Sequence, residues 1–173
     1  MRNYFLFFFL LLFFNSCQKE VKNNIDTSTI EVEFMINRFE QDFYNHKGGN
    51  LEDLKKKYPL FFPENTPDSI WMAKIKDKDE QDLYTETQKL YSSFSYIETE
   101  LRLLFKYITY YNPKFNTPNI ITGLSNIDYN YRVIYNQRLV FISLDVYLGN
   151  KHPFYSYYPA YIKQNNVRER IVV

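Results

Sequence analysis

Apolar and polar residues alternate along several stretches of the chain, and this period of two predicts β-strands. Near the start, apolar residues occupy every second position from Ile30, which indicates a half-buried strand over Ile30–Asn37. The alternation returns after Pro118, and it predicts three further strands, over Asn119–Thr122, Asn130–Tyr135 and Arg138–Ser143. The last two should form a hairpin across Asn136 and Gln137, because Asn accepts the positive φ of a tight turn.

A helical period dominates the region between these strands. The strongest helix is predicted from Ser95 to about Asn112, with Ser95 and Glu98 as a capping box and Pro113 after its end. One apolar stripe runs along it through Ile97, Leu101, Leu104, Ile108 and Tyr111. Shorter helices are expected over Arg38–Tyr44, after Asn50, after Thr66 and from Asp77. A Tyr-rich helical segment from His152 to about Asn165 and the first turns of a helix from Val167 complete the prediction.

Together these elements predict one α+β domain over residues 30–173. Its sheet should be small and mostly antiparallel, with the helices packed on one face. The helix over Ser95–Tyr111 should be the most buried helical element. The chain stops on three apolar residues without a helix-ending signal, so the last helix reads as unfinished.

The first seventeen residues follow a different pattern, that of an export signal. Arg2 precedes an unbroken run of aromatic and aliphatic residues from Tyr4 to Phe14, and Asn15-Ser16 leads into Cys17. The run is shorter than the ~20 residues that span a bilayer. It matches a signal peptide over residues 1–16 with a bacterial lipobox, in which the thiol of Cys17 receives a diacylglycerol before cleavage. The alternative is an ordinary signal, or an uncleaved anchor, with an incidental cysteine.

Lipidation predicts where the mature protein resides. Two or more acyl chains, palmitate among them, hold a protein stably on a membrane, whereas one chain does so only marginally. Residues 17–29 are mostly polar and read as a tether between the lipid on Cys17 and the folded domain. We therefore expect a lipoprotein of the cell envelope, anchored to a membrane and facing the periplasm or the exterior.

Composition narrows the function further. The 173 residues carry a net charge of +1 with a pI near 7.7, so the chain lacks the basic surface that nucleic-acid binding requires. Cys17 is the only cysteine and serves lipidation, which leaves no thiol for a disulfide, a metal or catalysis. The 17 tyrosines and 16 phenylalanines accompany abundant Asn, Lys and Ile, so they do not by themselves indicate a binding surface.

The motifs of known catalytic sites are not found in the sequence. There is no P-loop, no G-x-S-x-G and no H-E-x-x-H. His46 reads as a loop residue and His152 as a helix cap, while Asp128 and Asp145 could pair as acid and base but suit turns equally well. We expect no catalytic residue, no metal site and no cofactor.

Several blocks of sequence resemble one protein family. The blocks lie at residues 61–63, 66–71, 104–113, 128–135, 144–149, 152–155 and 159–162, and they include Thr66-Pro67-Asp68 and His152-Pro153. In this order they resemble the gliding motility lipoprotein GldB family over nearly the whole mature chain. The resemblance implies a non-catalytic component of the gliding machinery. It also implies a further, mainly helical half after Val173, and a distant similarity of fold to zinc peptidases.

Three functions remain open from the sequence. The first is the lipid-anchored gliding component, which would bind other envelope proteins through an exposed aromatic patch; its candidates are Tyr155, Tyr157, Tyr158 and Tyr161. The second is a metallopeptidase-like envelope enzyme whose metal-binding helix lies beyond residue 173. The third is a generic surface lipoprotein that binds carbohydrate, which only the aromatic content suggests.

Overall fold

The computed structural model describes residues 25–172, with the exceptions of Gly49 and Gln137. The predicted signal peptide, Cys17 and the tether up to residue 24 lie outside the described residues. In chain order the elements are β1 (Ile36–Arg38), α1 (Phe39–Tyr44), α2 (Glu52–Lys57), α3 (Asp68–Lys76), α4 (Lys78–Tyr91), α5 (Ser95–Tyr111), β2 (Asn119–Gly123), β3 (Val133–Asn136), β4 (Leu139–Ser143) and α6 (Ala160–Lys163). In this part of the chain, no helix is long and apolar enough to cross a membrane.

The four strands form one mixed sheet in the order β1-β2-β4-β3. Strand β2 is parallel to both β1 and β4, and only the β3–β4 pair is antiparallel. The prediction of a mostly antiparallel sheet was therefore wrong. Five helices separate β1 from β2, and such a long crossover returns the chain in the same direction. The predicted hairpin between β3 and β4 is confirmed, although Gln137 lies outside the described residues.

The first strand is much shorter than the alternation predicted. Only Ile36–Arg38 pairs with β2. Upstream, the side chain of Arg102 donates to the carbonyl of Val32 at 2.8 Å, and the ring of Phe34 packs edge-on to Phe105 at 5.2 Å. The alternating apolar residues therefore reflect an extended segment that packs along α5, without a strand beside it.

Helices cover both faces of the sheet, so the expectation that they cover one face was also wrong. Successive residues of a strand point to opposite faces. On one face Ile120 packs with Ile142 and with the buried residues of α5. On the other face Ile121 packs with residues of α1, α2 and α3, including Phe43 and Leu54. The domain is consequently a three-layer sandwich with two separate hydrophobic cores.

Helix α5 has the predicted boundaries, but its first turn lacks the predicted side-chain cap. Its N-cap is Phe94 and no side chain caps it, so the predicted capping box of Ser95 and Glu98 is not formed. Ile97 and Leu101 are buried as expected, whereas Tyr111 at the end of the stripe is 72% exposed. Three of the six residues of α1 are buried, against three of the seventeen in α5, so α1 is the more buried helix.

The C-terminal region is less helical than expected. The predicted Tyr-rich helix consists of a 3-10 turn over Pro153–Tyr155 and the four-residue helix α6. The predicted helix from Val167 is a single 3-10 turn over Arg168–Arg170. Ile171 after this turn is buried against α5 and the sheet.

Two neighbouring leucines on α5 test which face of this helix stabilises the domain. Leu101 is 4% exposed and Leu103 is 42% exposed. We expect Leu101→Ala to lower the free energy of unfolding by about 2–5 kcal/mol, because it leaves a cavity in the core. Leu103→Ala should cost less than about 0.5 kcal/mol. Urea denaturation followed by circular dichroism measures both, and equal losses would contradict the described orientation of α5.

Candidate functional site

The carboxyl ends of β1, β2 and β4 meet at one edge of the sheet, which is where open α/β sheets usually bind ligands. We call this the carboxyl edge. Asp145 follows β4 there and is fully buried. Its carboxylate accepts hydrogen bonds from the backbone N–H of Ser125 at 3.1 Å and of Ile127 at 2.6 Å. Asp145 therefore fixes the turn that follows β2.

This turn is strained. Asn126 and Ile127 have φ angles of 59° and 61°, a left-handed conformation that a β-branched residue such as Ile rarely adopts. Two tyrosines hold the turn and its support. The hydroxyl of Tyr158 donates to the carbonyl of Ile127, and that of Tyr155 donates to the carbonyl of Asp145, each at 2.5 Å. Asp145 thus stabilises a local conformation that the chain would not otherwise adopt.

Two further acids at this edge are bonded within the fold. Glu40 is fully buried between Arg38, whose Nε donates at 2.6 Å, and the hydroxyl of Thr122, also at 2.6 Å. Glu80 accepts from the hydroxyl of Tyr44 at 2.5 Å and pairs with Lys74. Burial and this hydrogen bond raise the pKa of Tyr44 far above its ordinary value. These side chains connect β1, α1, α3, α4 and β2.

The residues that the sequence singled out for chemistry are found in separate places. Asp128 accepts from the backbone N–H of Asn130 at 2.9 Å and caps a 3-10 turn, so it and Asp145 serve different backbone groups. The ring of His152 caps the 3-10 turn that begins at Pro153, as predicted. His46 lies in the loop after α1. Within residues 25–172, apart from the two masked positions, no group of three or more His, Cys, Asp or Glu could hold a metal ion.

The four tyrosines predicted to bind a partner do not share one surface. Tyr155 is fully buried, and its hydroxyl also accepts from the backbone N–H of Leu148 at 2.8 Å, so its ring cannot contact a partner. Tyr158 is half-buried over the strained turn. Of the four, Tyr157, 98% exposed, and Tyr161, 71% exposed, are free to contact a partner. Their neighbour Tyr158 contacts Ile127, so this segment adjoins the carboxyl edge.

An apolar groove of about 790 Å³ lies beside α5. We call it the α5 groove. Its floor is the sheet face formed by β4 and β3, and one wall is α5. Apolar residues from five segments line it, among them Leu104, Ile108, Phe115, Val133, Val140 and Val172.

Two arginines border the α5 groove. The guanidinium of Arg132 stacks on the ring of Tyr129, with its carbon 3.7 Å from the ring centre, and Arg170 comes from the C-terminal 3-10 turn. No acidic side chain lines the groove in the part of the chain that the structure describes. The groove therefore presents an apolar floor and positive charge.

The width of the sheet explains why this groove is open. Four strands spaced about 4.8 Å apart make a face about 19 Å wide, whereas a helix with its side chains is about 10 Å wide. Helix α5 therefore covers about half of its face. On the same face Val140 and Ile142 of β4 are buried, whereas Val133 and Tyr135 of β3 are exposed, so the open part of the groove lies over β3.

Sequence reasoning missed the α5 groove because its lining is assembled from segments that are far apart in the chain. The apolar residues of β3 gave the only local signal. Val133, Ile134 and Tyr135 are all at least 41% exposed, which is unusual for consecutive apolar residues of a strand. The strained turn at Asn126 and Ile127 was also missed, because Asn alone is a weak signal for positive φ and a β-branched residue such as Ile rarely adopts it.

The fold and its open surfaces define a class of protein: a three-layer α+β domain with a mixed sheet, whose buried acids hold its structure and whose groove beside α5 is apolar. The profile of the gliding motility protein GldB matches residues 20–173, and the chain belongs to this family, whose members are gliding-motility lipoproteins. No curated protein and no solved structure matches the chain. The distant similarity to zinc peptidases stays a prediction.

The buried carboxyl group of Asp145 should make stability depend on pH. Burial raises its pKa from 3.8 to about 6. Between these values the folded protein holds a proton that the unfolded chain has released, so stability falls as pH rises through this window. A shift of roughly two units corresponds to about 3 kcal/mol in total.

Asp145→Asn tests this dependence, because the amide stays neutral at every pH. We expect the slope between about pH 4 and pH 6 to flatten. At the acidic end the variant should lose about 1–3 kcal/mol, since its NH₂ group faces a backbone donor. Urea denaturation at several pH values measures both effects. A slope unchanged in Asp145→Asn would contradict the raised pKa.

Proposed function

We propose that the chain is a lipid-anchored, non-catalytic component of the gliding machinery in the cell envelope. Acyl chains on Cys17 would hold the domain on a membrane, and the α5 groove would bind an amphipathic helix of a second envelope protein. The open groove with its two arginines is the observation that carries the binding role. Family membership supports the connection to gliding.

The anchor rests on the physics of acylation. Each buried CH₂ group contributes about 0.8 kcal/mol, so a diacylglycerol together with an amide-linked acyl chain is a durable anchor. Cys17 lies only eight residues before the first described residue, Ile25. An anchor at this position would keep the folded domain close to the bilayer.

The shape and charge of the α5 groove favour a helix with acidic flanks as its occupant. Apolar side chains of α5 and of β3 both line the groove, and the apolar stripe of an amphipathic helix fits such a surface. Apolar side chains at every third or fourth position would face Leu104, Ile108 and Val140. Glu or Asp beside that stripe would pair with Arg132 and Arg170, and this charge pattern would select the partner.

A non-catalytic role agrees with the bonding of the acids at the carboxyl edge. Asp145, Glu40 and Glu80 each bind groups that hold neighbouring elements together. A general acid or base would need a proton within reach of a substrate atom. In this arrangement the carboxylates serve the backbone and side chains of the domain, which supports a binding role over an enzymatic one.

The exposed tyrosines offer a second contact surface. Tyr157 and Tyr161 keep the role that the sequence suggested, as aromatic side chains that a partner could bury. They lie on the carboxyl-edge side, so a partner there would be distinct from a helix in the α5 groove. The two surfaces can therefore be tested separately.

Metabolic labelling tests the anchor. Cells that express the full chain are grown with an alkyne fatty acid, and we expect label on the protein and its recovery with membranes. Cys17→Ala should carry no label and should leave the membrane fraction. A Cys17→Ala protein that is labelled as strongly as the wild type would contradict the assignment of the anchor to this residue.

Complementation of a strain from which the gene has been deleted tests the α5 groove. Val133→Glu places a negative charge on its floor, and we expect colony spreading to be lost although the protein accumulates normally, because a buried unpaired charge excludes an apolar helix. Ile134→Glu is the matched control. The two residues are neighbours on β3 and are 43% and 41% exposed, but Ile134 points to the opposite face.

The control should restore spreading, as the wild type does. Equal spreading of both glutamate variants would contradict a role for the α5 groove. A loss of spreading only in Tyr157→Ala/Tyr161→Ala would move the contact to the carboxyl-edge tyrosines. Unchanged spreading of the deletion strain itself would overturn the proposed function as a whole.

A further inference from the structure

The described chain begins beside one end of the domain. The Nζ of Lys106 donates to the carbonyl of Thr27 at 3.4 Å, and Thr27 is buried against the domain. Lys106 is one helical turn before Tyr110, near the end of α5. The N-terminal segment therefore meets the domain near the end of α5 that leads into β2.

The parallel strands begin at one edge of the sheet, which we call the amino edge. The C-terminal end of α5 lies at this edge. Asn119, the first residue of β2, accepts there from the backbone N–H of Met35 at 2.9 Å, and its own N–H donates to the carbonyl of Arg138 at 3.0 Å. Strand β3 ends at the same edge, because Asn136 is paired with Leu139. The amino edge thus collects residues from before β1, from 110–119 and from 135–138.

Large apolar and aromatic side chains are exposed at the amino edge. Tyr110 and Tyr111 are 50% and 72% exposed and pack against each other, with ring centres 5.1 Å apart. Met35 is 63% exposed and Tyr135 is 59% exposed. Tyrosines with a wet hydroxyl and an apolar ring are enriched where proteins meet the headgroups of a bilayer.

The loops at the amino edge and the cavity at the carboxyl edge differ in the sign of their charged side chains. Residues 110–119 and 135–138 contain Lys114 and Arg138 and no acidic residue, and Lys106 is one turn away. The segment before β1 carries three acids, Asp26, Glu31 and Glu33. The carboxyl edge carries a second, smaller cavity of about 390 Å³, and four acidic residues line it: Asp77, Asp79, Glu80 and Asp82.

We propose that the amino edge rests on the bilayer surface, with Tyr110 and Tyr111 among the lipid headgroups and Lys114 and Arg138 against anionic lipids. This proposal rests on the lipid anchor of the proposed function. Cys17 is ten residues before Thr27, so the chain between them spans at most about 36 Å. A domain of this size is about 40 Å wide, so the short connection favours contact by the edge where it enters.

Tryptophan fluorescence in the full, lipidated chain tests this orientation. The protein is reconstituted in vesicles of phosphatidylethanolamine and phosphatidylglycerol that contain a lipid brominated near the headgroup. Trp71→Phe removes the native fluorophore in every variant. Tyr111→Trp reports on the amino edge, and Tyr157→Trp, 98% exposed on the carboxyl-edge side, is the matched control.

We expect Tyr111→Trp to lose about half of its emission, as for an indole at headgroup depth, and Tyr157→Trp to lose almost none. Changing Lys114→Glu in the Tyr111→Trp chain should reduce the quenching, because it repels the anionic lipid. Circular dichroism of each variant establishes that it is folded.

Two results would overturn the proposal in different ways. Protein that floats with the vesicles but shows equal or weaker quenching at Tyr111→Trp than at Tyr157→Trp would reject the orientation and leave the anchor intact. Protein that does not float with the vesicles would reject the anchor, and with it both this proposal and the proposed function.

Discussion

Strand β2 is hydrogen-bonded on both sides and packed on both faces, and the positions of the other elements follow from this. Its neighbours β1 and β4 are both parallel to it, and Ile120 and Ile121 point into two different cores. A strand in this position needs a helical layer above and below. Helix α5 packs on one face, and the three shorter helices α1, α2 and α3 pack on the other. The sheet is wider than the single helix on the α5 side.

The helices could be predicted from the sequence better than the sheet, because the two depend on different information. Helix α5 reveals its period within its own seventeen residues, and both of its boundaries were predicted. Strand pairing depends on residues far apart, so nothing near Ile36 indicates that it will lie parallel to Ile120. The alternation around Val32 results from packing of this extended segment against α5. The sequence of the segment alone does not distinguish such packing from a strand.

The carboxyl edge shows why a buried, titratable acid need not be a catalyst. Burial removes the hydration of the Asp145 carboxyl group, which raises its pKa. The same carboxyl group accepts hydrogen bonds from two backbone N–H groups of the strained turn, which would otherwise be buried without an acceptor. Tyr155 was predicted as a surface residue from its neighbours in a Tyr-rich run, but it is buried as part of the same arrangement. Tyrosine spacing alone could not separate it from the exposed Tyr157.

The two proposals together define how the domain is oriented relative to the membrane. Helix α5 begins at the carboxyl edge, where Phe94 lies under Arg38, and ends at the amino edge, so its seventeen residues span about 25 Å between them. A helix in the α5 groove would run beside it. With the amino edge on the bilayer, the axis of such a helix would be steeply inclined to the membrane plane. One end would lie at the headgroups and the other would lie near the carboxyl edge. This geometry would connect a membrane-bound component to a partner farther from the lipid.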